Sequence, residues 1–348
     1  MQWRPKVLAE TEFPRNGTTA EKLRFMLQYA VLAPSVNNTQ PWKFSIANDV
    51  ISLYADRSRA LAVTDPQHRE LTISCGAALE HIAIAIKHFG FSPLVEQFPD
   101  PDNPDLLAQI RIGSMSKNSA DDALFFYGMA RRQTWRRKFG SRSISNEMFA
   151  NLVMSAANSE VWIDMLDGPV RREEVARLIG EADLIQGHDQ RFREELLQWI
   201  TISGAHRHDG MPGTARGHTL VGSIFDFLMF KKKDSGPHRA VTDRRLIGQS
   251  RLLAIIGTVD DEPAAWLEAG RSLVRLLLRA RSAGISASFF GQVVQVAETR
   301  EKLAKLAGDH GHPQLVLRLG YATSNRITTP RRALEKVILA TPPPPRRP

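Results

Sequence analysis

Two short segments carry most of the side chains that could do chemistry. Residues 33–42 read APSVNNTQPW, in which two prolines bracket Ser35, Asn37, Asn38, Thr39 and Gln40. Such a loop can hold a polar ligand, or it can cap the helical pattern LRFMLQYAVL before it. Pro34 ends or bends that helix, and composition alone favours capping, since Ser/Asn loops are common. Residues 130–142 read ARRQTWRRKFGSR and place six cations, Arg131, Arg132, Arg136, Arg137, Lys138 and Arg142, within 13 residues. Guanidinium forks match phosphate oxygens two at a time. Thr134 adds a hydroxyl between the arginines, so a discrete phosphate site competes with a solvated basic face.

Other chemistries find less support. The sequence has no GxxxxGKS/T, GxGxxG or GxSxG pattern, which sets aside the common P-loop, Rossmann and nucleophile-elbow signatures. The pairs His206/His208 and His310/His312 have no carboxylate or cysteine at ligand spacing and read as loop histidines, so no metal is expected. Cys75, the single cysteine, lies on an apolar stripe and reads as a small core residue. Nucleic-acid binding would need base-reading aromatics among the cations, and Trp135 and Phe139 are the local candidates. A phosphate role already accounts for the arginines, so no nucleic acid is expected.

Two helices are the clearest elements behind these segments. Leu71, Cys75, Leu79, Ile82, Ile86 and Phe89 recur at steps of three or four, ended by Gly90. Trp266, Leu273, Leu277 and Ala280 repeat the pattern up to Gly284. A β-like segment follows each helix, IRIG at 110–113 and LRLG at 317–320. FPDPDNPD, from Phe98 to Asp105, predicts a turn. The polar 11–19 stretch and the Pro/Arg tail at 341–348 predict loose ends.

The helix parallel extends to an internal repeat. Cys75–Ser92 aligns with Ala269–Ser286 at an offset of 194, matching both glycines, a leucine and the final serine. Tyr29–Trp42 aligns with Phe149–Trp162 at an offset of 120, with Ala30/Ala150, Leu32/Leu152, Ser35/Ser155, Asn38/Asn158 and Trp42/Trp162 identical. IRIG and LRLG match at 207. Growth of the offset from 120 to 194 gives the second copy 74 extra residues, including much of 190–245. A long excursion of this kind is a lid over a site or a surface decoration.

Composition bounds the chain. With 348 residues, 43% hydrophobic and 24% charged, it is of globular type. No stretch approaches the roughly 18 apolar residues of a membrane span, and MQWRPKVLAE lacks the apolar core of a secretory signal. A cytoplasmic protein with no membrane partner is therefore expected. The net charge of +9 suits an anionic ligand without naming it.

Together the two segments resemble a known family. A-P-S-x-N-N-x-Q-P-W followed by R-x-S/T-x-R-R-x-F, here Arg132, Thr134, Arg136, Arg137 and Phe139, is the pattern of the nitroreductase superfamily of FMN proteins. The closer resemblance is to the Acg family, which fuses two nitroreductase-like halves in one chain. LYADRSRALAVTDPQHRELTISCGAAL (53–79) looks like that family's first half, and PRRALEKVI (330–338) resembles the superfamily's C-terminal strand.

The resemblance implies an α+β nitroreductase-like fold, a mostly antiparallel central sheet flanked by helices, arranged as a pseudo-dimer of duplicated halves. Residues 20–125 would form the first half and 126–340 the second, with a lid-like insert near 190–245. One FMN per chain is implied. The second half would supply Arg132, Gln133, Thr134, Arg136, Phe290, Gly291, Gln292 and Arg331, and the first half Pro34, Ser35, Val36 and Asn38. The reciprocal site lacks the arginine segment, and its loop prolines are replaced by Met154 and Val161. FFGQ at 289–292 departs from the P-I-E-G-like segment of typical nitroreductases. Their chemistry is hydride transfer from NAD(P)H through the flavin to a nitroaromatic, quinone or similar small-molecule acceptor. In the alternative, the lid closes the substrate channel and the protein sequesters flavin with little turnover.

Overall fold

The structure is a computed structural model, and it describes residues 9–201, 207–213, 234–324 and 329–340. The tail at 341–348, Lys231–Lys233 and the run IFDFLMFKKK of the insert lie outside the described residues. The chain opens with α1 (Thr19–Leu27), whose start is fixed by a reciprocal cap: Thr18 Oγ1 accepts from the Glu21 amide, and Glu21 Oε2 accepts from the Thr18 amide. A hairpin of β1 (Trp42–Ala47) and β2 (Val50–Ala55) leads to α2 (Arg69–His88), then β3 (Phe91–Gln97) and β4 (Leu106–Met115). The FPDPDNPD break lies between β3 and β4, and α3 (Ala120–Arg131) leads out of this unit.

The same succession then recurs. Helix α4 (Asn146–Ala156) precedes β5 (Val161–Leu166), and after a long excursion come β8 (Leu252–Thr258), α8 (Pro263–Ser282), β9 (Ile285–Phe289) and β10 (His312–Tyr321). The strands form two four-stranded sheets, β1-β2-β4-β3 and β5-β8-β10-β9, and every pairing in both is antiparallel. The two orders are identical once β1, β2, β3 and β4 are matched to β5, β8, β9 and β10. The central β8 reads LLAIIGT and is buried throughout. Leu252, Ala254 and Ile256 face the α8 side, while Leu253 and Ile255 face a second cluster built on residues 175–179 and 290–294.

Helices α2 and α8 hold the two units together. A Cβ on Gly76 would run into the Leu267 carbonyl, and one on Gly270 into the Ile73 carbonyl. At an offset of 194, Gly76 matches Gly270 and Ile73 matches Leu267, so the contact is reciprocal, as at a two-fold dimer interface. Both helices end at a glycine with positive φ, 88° at Gly90 and 76° at Gly284. The exchange continues at the edges of the sheets. Residues 337–339 pair beside β1, with the Phe44 amide 2.8 Å from Val337 O and the Leu339 amide 2.7 Å from Phe44 O. Thr134 bridges to Ala287 of β9.

The excursion between β5 and β8 contains α5 (Pro169–His188), α6 (Gln190–Trp199), the short parallel pair β6 (Ile200–Thr201) and β7 (Met211–Pro212), and α7 (Gly236–Gly248). It replaces the two residues, Asn48 and Asp49, that join β1 to β2. A single helical turn at Gln292–Gln295 and α9 (Ala297–Leu306) complete the second unit.

Replacing Gly76 or Gly270 with alanine forces two helix backbones apart. Each change is expected to lower unfolding free energy by about 3 kcal/mol or more. Chemical denaturation checks this, and a shift under about 0.5 kcal/mol would show that the crossing is looser than described.

Candidate functional site

The two sequence segments meet at one cavity of about 790 Å³, between the units. Its floor is the face of α2 that carries Ile73, Ser74 and Ala77, together with Leu273 of α8. Pro34, Ser35, Val36 and Asn38 line it from the first unit, and Arg132, Gln133, Thr134, Arg136, Gly291, Gln292 and Arg331 from the chain after residue 126. Phe290 is the exception among the expected residues. Its ring is packed in the core with Val293, Val294 and Val316, and its amide donates to Val316 O at 2.8 Å. The neighbouring Phe289 lines the cavity instead.

The first loop is held by its own polar groups. Asn37, Asn38 and Gln40 all have positive φ, 47°, 57° and 52°, a conformation that asparagine adopts more readily than most residues. Ser35 Oγ accepts from the Gln40 amide at 2.9 Å. The Val36 amide donates to Ser74 Oγ on α2 at 3.2 Å. The Asn38 side chain ties three segments together: Nδ2 donates to Gly210 O at 2.9 Å and Pro330 O at 3.1 Å, and Oδ1 accepts from Arg331 Nη1 at 3.0 Å. Its amide therefore positions Arg331 and the insert. Gln40 does similar work, donating to His208 O and accepting from the Arg332 amide, both at 2.8 Å.

The basic segment divides in two. Arg131, Arg132 and Arg136 line the cavity, whereas Arg137 and Lys138 are exposed and Arg142 lies over the Tyr321 ring. Trp135 and Phe139 are buried. Arg318, fully buried on β10, staples them: its Nη2 donates to Arg137 O at 2.8 Å and its guanidinium sits 4.4 Å over the Phe139 ring. Burial lowers the pKa of Arg318 to about 10. The fields of Arg132 and Arg331 both reach His81 of α2, whose full burial already drives its pKa down to about 3. Among the described lining residues, five arginines stand against one carboxylate, Glu70. Gln133 adds a buried Oε1 with no protein partner among the described residues.

The excursion between β5 and β8 also reaches the cavity, through Gln186, Phe192, Leu196, Met211 and Arg239. It is fastened across the first unit. Glu195 accepts from the Val63 and Thr64 amides at 2.8 and 2.9 Å and from Thr64 Oγ1 at 2.6 Å. Arg59 pairs with Asp209 and lies 5.2 Å from the Trp199 ring. Sequence reasoning found none of these side chains individually, nor Glu70, Ser74 or Gln295. Ser74 and Glu70 lie on a helix whose apolar stripe was legible, but their neighbours come from distant parts of the chain.

The symmetry-related position is built differently. At the offset of 194, Ser74 and Ala77 correspond to Glu268 and Arg271. These join Glu80 and Arg275 in a largely buried ion network: Arg271 Nε to Glu80 Oε2 at 2.9 Å, Arg271 Nη1 to Glu268 Oε2 at 2.9 Å, and Arg275 Nη2 to Glu268 Oε1 at 2.6 Å. Asn158, the counterpart of Asn38, donates to Glu268 at 3.0 Å. Small residues that open the cavity on one side are thus replaced by paired charges on the other.

No family model matches the chain. It is 29% identical over 337 residues to Rv3131 of Mycobacterium tuberculosis, provisionally named an NAD(P)H nitroreductase, covering 94% of this chain and 93% of that one. It is 28% identical over 331 residues to the acg protein of the same organism, which bears the same provisional name, covering 93% and 97%. PigM of a Serratia species, also provisionally named an NAD(P)H nitroreductase, is 27% identical over 347 residues, covering 94% and 95%. Among solved structures, the FMN- and NADPH-dependent nitroreductase NfnB of a Sphingopyxis strain aligns with 63% of this chain and 99% of its own, at 16% identity and a TM-score of 0.42. A nitroreductase with bound FMN from Bacteroides fragilis aligns with 63% and 98%, at 15% identity and a TM-score of 0.39. Along nearly its whole length, the chain is similar to proteins provisionally named NAD(P)H nitroreductases.

Proposed function

We propose that the cavity binds one FMN per chain and that the protein is an NAD(P)H-dependent oxidoreductase of nitroreductase type. Its acceptor would be a nitroaromatic, a quinone or a similar small molecule. The observation that carries this reading is the meeting of Arg132, Thr134 and Arg136 with the Pro34–Asn38 loop at a single cavity. The names of the relatives agree with it.

The residues present fit the cofactor. A phosphate needs several cationic donors and few competing carboxylates, and the arginine-rich lining provides this. The orphaned Gln133 Oε1 offers an acceptor. The amides of Gly291 and Gln292 begin a helical turn, where N–H groups lack intrahelical partners. FMN, when bound, supplies two-electron redox chemistry that no side chain of this chain can provide. Arg132 and Arg136 would hold the phosphate, Asn38 fixes Arg331 at the same cavity, and the apolar Phe192, Leu196 and Met211 in its lining would limit water there.

The ion network at Glu268 and Arg271 favours one flavin over two, since it fills the counterpart of the cavity floor. The duplicated halves, roughly 20–125 and 126–340, then act as an internal dimer within a monomer. The buried Trp135 and Phe139 cannot stack on bases, which speaks against a nucleic-acid role for the basic run. Among the described residues no helix is long and apolar enough to cross a membrane, and the cytoplasm is the proposed location.

A second reading has its own observation. The insert is fastened across the first unit by Glu195 and Asp209 and lines the cavity, so it can act as a closed lid over a sequestered flavin. Anaerobic mixing with NADH or NADPH separates the readings. Prompt bleaching of the flavin absorbance is expected, and bleaching by dithionite alone would favour sequestration. Arg132→Ala and Arg136→Ala should each weaken FMN binding by about 10- to 100-fold in a fluorescence titration. Unchanged affinity in both would remove the phosphate assignment.

A further inference from the structure

A reduced acceptor oxygen needs a proton as well as electrons, and the described cavity wall offers one source. Of the side chains lining it, only Glu70 and five arginines are titratable, and arginine does not release protons near neutral pH. We propose that Glu70 is the catalytic acid of this cavity, giving its carboxyl proton to the acceptor oxygen as the acceptor is reduced. The assignment rests on the redox reading above.

The geometry places the carboxyl against the Phe289–Gln292 segment. Glu70 Oε2 accepts from Gln295 Nε2 at 2.8 Å. Its Oε1 lies 3.4 Å from the point where a Cβ on Gly291 would stand. That same Cβ would approach Gln295 Nε2 to 2.9 Å, so glycine at 291 leaves the Gln295–Glu70 contact undisturbed. Gln295 is held in turn by α5, its Oε1 accepting from Gln186 Nε2 at 2.8 Å. The acid is thus linked to α5 through one glutamine.

Glu70 also keeps its proton for a clear reason. It is buried on the first turn of α2, and the adjacent Arg69 is turned largely elsewhere. Arg69 donates to Gln314 O at 2.8 Å, Gln314 Oε1 at 2.9 Å and Val294 O at 3.1 Å, and stands 3.8 Å from Glu70 Oε1. The groups bearing on Glu70 are Arg69 and Arg300, which favour its charged form, Gln295, which also favours it, and Asp65, which opposes it. Burial outweighs them and raises its pKa to about 7. The carboxyl is therefore protonated below that pH and loses its proton above it, close to the optimum for an acid working at neutrality.

The step balances for a quinone acceptor. The reduced nicotinamide is oxidised and provides two electrons and one hydrogen as a hydride equivalent. The Glu70 O–H bond breaks and an O–H bond forms on the quinone oxygen, completing the hydroquinone. The carboxylate left behind accepts from Gln295 and takes a new proton from water.

The test uses FMN-loaded protein, reduced anaerobically with NAD(P)H and mixed with 1,4-benzoquinone from about pH 5.5 to about pH 9. In the wild type, flavin reoxidation should slow about tenfold per pH unit above about 7. Glu70→Gln should take up FMN normally, lose that pH dependence and react about 100-fold slower at low pH, whereas Glu70→Asp should keep a pH dependence. Infrared difference spectra between the pH extremes should contain a protonated-carboxyl band that Glu70→Gln lacks. Normal FMN uptake with a wild-type rate and pH profile in Glu70→Gln would overturn the role of Glu70 alone. If Glu70→Gln does not fold, a pH-independent wild-type rate in Glu70→Asp would do the same. Wild-type protein that takes up no FMN would overturn the redox reading, and this assignment with it.

Discussion

Everything in this fold depends on two helices meeting where neither has a side chain. Gly76 and Gly270 let α2 and α8 approach until each presses on the other's backbone at Leu267 and Ile73. That closeness brings the two sheets into one body and leaves the cavity beside the crossing, floored by residues one turn away on the same helices. The distant segments then complete it: the Pro34–Asn38 loop from one unit, the arginine segment and Arg331 from the other. The strand crossing at Phe44 and Val337 ties the C-terminal segment into the first sheet, which carries Arg331 to Asn38.

A reciprocal crossing creates two equivalent positions, yet the sequence has kept only one open. Ser74 and Ala77 leave room, and Ser74 supports the loop through the Val36 amide. Glu268 and Arg271 occupy the corresponding positions and are locked with Glu80 and Arg275. Buried ion pairs resist piecemeal removal, because deleting one partner strands the other's charge. The second unit's excursion between β5 and β8 lines the open cavity and is fastened by Glu195 at the Val63 and Thr64 amides.

Local patterns in the sequence revealed the parts whose physics is local. The stripes of α2 and α8, their terminal glycines, the polar loop and the clustered arginines all follow from spacing within about 20 residues. The gap-free match of Ser35 and Asn38 to Ser155 and Asn158 also exposed the repeat. Division of the strands into two sheets was not legible, since periodicity defines a strand and says nothing of its partner. The expectation of Phe290 over Phe289 failed for a related reason: Phe289 ends β9 and Phe290 follows it, and spacing does not tell which of two successive residues faces the cavity. Asn38 was legible as part of the polar loop, but its ties to Gly210, Pro330 and Arg331 appear only in the structure. Glu70, Gln295 and Gln186 form a hydrogen-bonded row from three separate segments, and no short-range signal joins them.

The central claim is that two halves build a single flavin site. It is tested most directly by titrating purified protein with FMN and reading the flavin absorbance at saturation against protein concentration. Binding that saturates at one FMN per chain is the predicted result. Saturation at two per chain would contradict the closed counterpart site, and no saturable binding would contradict the cavity's assignment altogether.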